Sequence, residues 1–298
     1  MIPADLLGHL VVVVGALLGL SLWLIVGRSH LAGVRETFRQ RARAVYPYVG
    51  LLAVVLVVNS VARDLGTALS WVLDWNITGL IYAIEGEFVA TLQAAGSPAL
   101  TAALSYVYVY GYVFLLLFPV LAYFALDDLQ AFRHTMLAYG FNYAIGVACY
   151  LLFIAYGPRN LMPELVDSLL YTTWPRSQLL TSAVNSNTNV FPSLHASLSV
   201  SVVCLAYRTR RAYPAWLVLS VPIAASVIVS TMYLGIHWGV DVVAGVVLGI
   251  GSVLLAEGLT DDQGKQPRLE RVARRIVAAI QTRFRRWHPR LDRQSRES

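Results

Sequence analysis

Two histidines and an aspartate in the second half of the chain have the residue types that phosphoryl transfer needs. His195 lies in the stretch NVFPSLHAS, residues 189–197, and His237 and Asp241 lie in STMYLGIHWGVDVVAG, residues 230–245. One imidazole can attack phosphorus, and a second can protonate the oxygen that leaves. In a helix, a carboxylate four residues after a histidine lies on the same face. It can therefore hold one ring nitrogen and leave the other as the nucleophile.

The residues just before His195 indicate the start of a helix that can bind an anion. Pro192 suits a first helical turn because its missing N–H is not needed there, and Ser193 adds a hydroxyl donor. The free amides of that turn, including the amide of Leu194, and the positive end of the helix dipole would hold a phosphate. A lone histidine near a helix end is usually structural. Asp241 favours function, because an acidic residue inside an apolar segment is costly.

These motifs stand in a strongly apolar chain of 298 residues. Hydrophobic residues make up 57% and charged residues 13%, and the mean hydropathy is +0.60, which is outside the range of soluble domains. About seven stretches have the length and composition of membrane spans: 6–27, 46–62, 101–126, 135–156, 192–207, 214–234 and 238–256. Residues 64–97 are apolar but contain acidic residues, which predicts interfacial or re-entrant helices. The expected fold class is therefore an all-α, polytopic transmembrane bundle.

Arginine and lysine residues divide unevenly between the two sides of this seven-span arrangement. Of the 23 basic residues, 20 fall on one side, in segments 28–45, 127–134, 208–213 and from 257 onward. Basic residues near span ends are held in the cytoplasm, so we expect the N-terminus outside and the C-terminus in the cytoplasm. Both histidines then lie at the extracytoplasmic face. Residues 266–288 read as an amphipathic basic helix on the anionic inner leaflet, or as a solvated tail that enforces topology.

The stretches FPSLHAS and STMYLGIHWGVD resemble the second and third signature motifs of the type 2 phosphatidic acid phosphatase superfamily. The resemblance covers about residues 135–256. It implies that His237 forms a phosphohistidine, that Asp241 orients it and that His195 is the general acid. It also implies that Ser193 and the amides after it, including that of Leu194, hold the phosphate. No metal and no other cofactor is implied.

The chain departs from the phosphatase motifs at several positions. Thr231 stands where the phosphatases have arginine, and Leu194 stands where they have glycine. With the run TMYL, residues 231–234, these changes resemble the inositol phosphorylceramide synthase branch, whose members transfer a phospho-headgroup between lipids. The first motif, a lysine followed by arginine and proline, is degenerate. Arg159 remains the candidate for holding phosphate charge, with an interfacial helix anchor as the alternative, and Arg176 is a weaker candidate.

The expected protein is a membrane enzyme that cleaves or transfers a lipid phosphoester at the outer face. Residues 46–256 would form the catalytic core, six helices by the resemblance, preceded by an extra span and a basic loop in 1–45 and followed by a basic tail in 257–298. If water accepts the phosphoryl group, the protein is a phosphatase. Inositol, a sugar or a lipid alcohol makes it a phosphotransferase, which the departures favour.

Two further expectations concern rival functions and partners. A proton-coupled transporter could use the same residue types, but no charged residue continues the path through the fifth to seventh spans. The expected partners are a lipid phosphoester, an alcohol acceptor and anionic inner-leaflet lipids at the tail, and no nucleic acid. The tyrosines of SYVYVYGYVF, residues 105–114, favour an interfacial belt over a site.

Overall fold

The computed structural model of this protein is nearly all-helical. It describes residues 4–175, residue 178 and residues 190–260. Within these residues no strand forms, and one isolated bridge pairs Asn76 with Ile154. The all-α fold predicted from the hydropathy pattern is confirmed for this part of the chain. The basic tail 266–288 and Arg176 lie outside the described residues.

The described residues form helices of very different lengths. Their bounds are α1, Ala4–Ser21, continued by a π-helical turn, Leu22–Val26; α2, Arg28–Leu73; α3, Thr78–Glu85; α4, Phe88–Ala94; α5, Pro98–Tyr106, joined by a π-helical turn, Val107–Gly111, to α6, Tyr112–Phe124; α7, Gln130–Leu152; α8, Pro158–Leu161; α9, Leu169–Thr173; α10, Leu194–Arg208; α11, Pro214–Tyr233; and α12, Gly239–Thr260.

Six stretches of the described chain are long and apolar enough to cross a bilayer. They are Leu7–Val26, Arg28–Ala62, Pro98–Phe124, Gln130–Leu152, Pro214–Tyr233 and Gly239–Thr260. Helix α10 occupies the position of the fifth predicted span, but its 15 residues give a length of about 22 Å, shorter than the hydrocarbon core of about 30 Å. The chain is therefore a helical membrane protein with six candidate spans, and a seventh stays a prediction.

The second span differs from its predicted bounds. Residues 28–45, expected as a basic loop, form the first part of α2, which continues without a break for 46 residues. Arginine, alanine, glutamate and glutamine are strong helix formers, so the basic segment continues the helix. Arg41 contacts the turn after α6, where it donates to the carbonyl oxygens of Phe124 and Leu126 and lies 3.2 Å from the Asp127 carboxylate.

Two contacts show that α2 and α7 run in the same direction. Near the start of α7 the guanidinium of Arg133 lies over the ring of Tyr48, in the middle of α2, with 5.6 Å between its Cζ atom and the ring centre. After the ends of both helices the N–H of Ile77 donates to the carbonyl oxygen of Ile154 at 3.0 Å. The segment 153–160, which follows α7, therefore lies beside α3 and α4, at the end of the bundle that carries the histidines.

Glycines in α12 bring this helix close to α10. A Cβ atom at Gly245 or Gly249 would overlap the backbone carbonyl oxygens of Ser193 and Ser197. The hydroxyl of Ser201 also donates to the carbonyl oxygen of Gly249 at 3.1 Å. Small residues let helix backbones approach in membranes. This contact sets the register between the two helices that carry His195 and Asp241.

Candidate active site

A tight turn between α11 and α12 positions His237. The carbonyl oxygen of Thr231 accepts the N–H groups of both Ile236 and His237 at 3.0 Å, and Gly235 supplies the positive φ of +69° that the turn requires. The buried Thr231 hydroxyl donates to the carbonyl oxygen of Ile228 at 2.7 Å. Thr231 therefore supports the turn through its backbone, and its side chain bonds within its own helix.

His237 and Asp241 form a buried pair at the start of α12. Their Nδ1 and Oδ2 atoms are 3.5 Å apart, and the side chains are 3% and 0% exposed. Oδ2 also accepts the N–H of Trp238 at 2.9 Å, whereas Oδ1 has no partner among the described residues. The separation exceeds that of a good hydrogen bond, as catalytic pairs often do without substrate. Because Nδ1 faces the carboxylate, Nε2 is the nitrogen left for chemistry.

The structure brings His195 beside His237, although 42 residues separate them in sequence. The two ring centres are 5.8 Å apart and the rings meet edge to face at 61°. His195 lies in the first turn of α10 and is half-buried. Two imidazoles at this separation can contact one phosphoryl group from two sides.

Two of the tyrosines predicted to form an interfacial belt flank His195. The ring centres of Tyr108 and Tyr112 lie 4.9 and 4.6 Å from that of His195. The π-helical turn Val107–Gly111 lies between α5 and α6 and contains Tyr108. Such turns often occur at functional sites, but their position is not visible in the sequence pattern.

The start of α10 differs by two residues from the prediction. Ser193 is the N-cap, and its hydroxyl oxygen accepts the N–H of Ala196 at 3.3 Å, so Pro192 precedes the helix and is not in its first turn. A capping serine needs extended backbone angles, which explains the later start. The N–H of Ser193 donates to the carbonyl oxygen of Asp241 at 3.0 Å. The Leu194 side chain packs on Gly146.

A backbone hydrogen bond connects Arg159 to the turn before His237. Its N–H donates to the carbonyl oxygen of Gly235 at 3.2 Å, and a Cβ atom at Gly157 would crowd the carbonyl oxygen of Ile236. The guanidinium stacks on Tyr171, with 4.6 Å between Cζ and the ring centre, and Nη2 donates to the Tyr171 hydroxyl at 3.1 Å. Nη1 is buried and has no partner among the described residues. An anion could satisfy this donor.

Metal ligands are not clustered in the described residues. No group of three or more His, Cys, Asp or Glu side chains is arranged there to hold a metal ion. The expectation that the reaction needs no metal stays a prediction.

Comparison with known families gives a match. A family model described as the PAP2 superfamily matches residues 80–255, more than half of the chain, and all the site residues described above lie within it. Helix α1 and all of α2 precede the matched region. Comparisons with curated proteins and with solved structures give no match.

Proposed function

The chain belongs to the PAP2 superfamily, which indicates activity on phosphate esters, and from this membership we propose that it cleaves or transfers a lipid phosphoester through a phosphohistidine on His237. The observation that carries the proposal is the pair of imidazole rings 5.8 Å apart, with the Asp241 carboxylate behind Nδ1 of His237. This arrangement supplies a nucleophile, an acid and an orienting group around one point.

The first step forms the covalent intermediate. Nε2 of His237 attacks phosphorus, an N–P bond forms, and the P–O bond to the leaving group breaks. Protonated His195 gives its proton to the departing oxygen. Nη1 of Arg159 and the first-turn amides of Leu194 and His195 hold the non-bridging oxygens, because helix geometry leaves those amides without intrahelical acceptors.

The second step returns the enzyme to its starting state. Neutral His195 takes a proton from water or an alcohol, whose oxygen attacks phosphorus. The N–P bond breaks and His237 is released as neutral imidazole. The rings of Tyr108 and Tyr112 flank His195, where they would limit the water that reaches it. Together with Thr231 and Leu194 in the inositol phosphorylceramide synthase-like pattern, this favours transfer to inositol, a sugar or a lipid hydroxyl. The phosphatase with water as acceptor is the alternative.

The test is to identify the products. Purified protein is incubated with labelled membrane lipids, with and without candidate alcohols, and the labelled products are identified by mass. We expect the phospho-headgroup to appear on the alcohol. Free phosphate as the sole product in the presence of alcohols would establish the phosphatase, and no product in any mixture would contradict both enzymatic proposals.

Proton transport through the bundle is the weaker candidate. In the three helices α10, α11 and α12, the Asp, Glu, Lys and Arg side chains other than Asp241 are Arg208 and Glu257. Asp241 and Glu257 are 16 residues apart in one helix, which corresponds to about 24 Å. Proton relays need closer groups or ordered water, so the charged residues favour chemistry at one end of the bundle.

We also propose that the histidine end of the bundle is extracytoplasmic. The opposite end holds Arg41, Arg208 and the neighbouring basic residues, and the positive-inside rule assigns that end to the cytoplasm. The tail 266–288 would then contact anionic inner-leaflet lipids.

A cysteine-labelling experiment tests this orientation. In a chain with Cys149 and Cys204 replaced by alanine, a cysteine at exposed Glu164 should react with a membrane-impermeant thiol reagent added outside cells. A cysteine at exposed Arg211, at the opposite end, should react only after the membrane is opened. Labelling of Arg211→Cys alone in intact cells would reverse the orientation and move the site to the cytoplasm.

A further inference from the structure

Glu85 forms a two-point contact with the start of the helix that carries Asp241. Its Oε1 accepts the N–H of Gly239 at 2.8 Å and its Oε2 accepts the N–H of Val240 at 2.9 Å. Gly239 suits this contact, because a Cβ atom there would lie 3.3 Å from Oε2. The contact joins α3 to α12 across 154 residues of sequence.

Helix electrostatics explain why a glutamate occupies this position. Glu85 is the last residue of α3, where the negative end of the helix dipole makes a carboxylate unfavourable. At the N-terminus of α12 the same carboxylate is favourable, since it satisfies two amides that have no intrahelical acceptor. The contact with α12 therefore accounts for an acidic residue that α3 itself disfavours.

The amides before and within the first turn of α12 are divided between two carboxylates. Asp241 accepts the N–H of Trp238, and Glu85 accepts those of Gly239 and Val240. The start of α12 thus has no amide of these three left for a phosphate. The Glu85 carboxylate thus contacts the backbone between His237 and Asp241 at two points.

We infer that Glu85 is a positioning residue for the catalytic pair His237 and Asp241. The inference rests on the proposed function, in which Nε2 of His237 must be aligned with phosphorus. Displacement of a nucleophile by about 1 Å can cost about 100-fold in rate. Loss of the Glu85 contact should therefore lower kcat and leave KM nearly unchanged, because the groups that bind the phosphate lie elsewhere.

The test compares Glu85→Ala and Glu85→Gln with a matched control. Asp128 is also a carboxylate that accepts a first-turn amide, that of Gln130 at 2.9 Å, but at the opposite end of the bundle. We expect Glu85→Ala to lower kcat by about 10- to 100-fold and Glu85→Gln, which keeps one acceptor oxygen, to lose about 3- to 10-fold. In both variants KM should change less than about 2-fold. Asp128→Ala should keep the kcat of the unmodified protein.

A second readout does not depend on turnover. Modification of His237 by diethyl pyrocarbonate, followed by mass spectrometry, should be at least about threefold faster in Glu85→Ala because the turn opens more often. Asp128→Ala should not change that rate. Unchanged modification in Glu85→Ala overturns the inference, whether or not the protein acts on lipids, and so does an unchanged kcat. If Glu85→Ala does not fold, the same criteria apply to Glu85→Gln. If the unmodified protein shows no turnover but modification of His237 is faster in Glu85→Ala, only the proposed function is contradicted.

Discussion

His237→Ala is expected to abolish turnover with every phosphate ester and to leave no phosphorylated enzyme. Without the imidazole no N–P bond can form, and loss of a nucleophile costs about 10⁴-fold or more. The measurement is the amount of labelled phosphate on the protein after an alkaline quench, with turnover measured in parallel. His134→Ala is the control, because His134 lies at the opposite end of the bundle, where its Nε2 is 2.6 Å from the Thr260 hydroxyl.

The proposed mechanism predicts a different effect for replacement of His195. His195→Ala should slow formation of the phosphoenzyme by about 10²- to 10⁴-fold with a lipid alkoxide leaving group, because that oxygen needs a proton as it leaves. With nitrophenyl phosphate, whose leaving oxygen is far less basic, the first step should be much less affected. The first step must be measured alone, since the second step uses His195 as base with either substrate. Equal losses on both substrates would show that His195 only positions the phosphate.

The proposed catalytic residues His195, His237 and Asp241 could be predicted because short stretches of the sequence identify them. The spacing of His237 and Asp241 predicts proximity through helix geometry alone. The alternation of apolar runs and charged segments then places His195 at the same end of the bundle as His237. Neither step needs the identity of side chains on other helices, and the structure brings the three residues together.

Residues that act through distant partners could not be predicted in the same way. Glu85 was one of several acidic residues in an apolar stretch, and no sequence pattern identifies the amides of Gly239 and Val240 as its partners. Tyr108 and Tyr112 alternate with apolar residues, as an interfacial belt does. The π-helical turn that places their rings against His195 depends on packing. Basic segment 28–45 was misassigned for another reason: charge marks the membrane boundary, whereas helix propensity decides where a helix ends.

The degenerate first motif makes the position of Arg159 informative. Counted from Arg159 in the phosphatase motif, Leu152 stands at the lysine position and Asn160 at the proline position, so the proposed site would have fewer cations for a phosphate. Arg159 has the features expected of a cation that holds a phosphate. Its backbone bonds to the turn before His237, Tyr171 fixes one side of its guanidinium, and its buried Nη1 has no partner among the described residues.

Arg159→Ala should lower turnover by about 100-fold or more, which is the scale of losing one donor to a developing oxyanion. Arg159→Lys should restore only part of the loss, since lysine keeps the charge but lacks the planar fork that contacts two phosphoryl oxygens. The measurement is kcat/KM with a fixed lipid substrate, normalised to folded protein.

Arg133→Ala is the matched control for this prediction. Arg133 is also a half-buried arginine over a tyrosine ring, that of Tyr48, and its Nε is likewise buried without a partner among the described residues. It lies at the end of α7 opposite to Arg159. If the only role of Arg159 is to stack on Tyr171, the two alanine variants should lose stability alike and retain turnover. If Arg159 holds the phosphate, only Arg159→Ala loses turnover. Normal turnover in folded Arg159→Ala would assign the phosphate to the amides at the start of α10 alone.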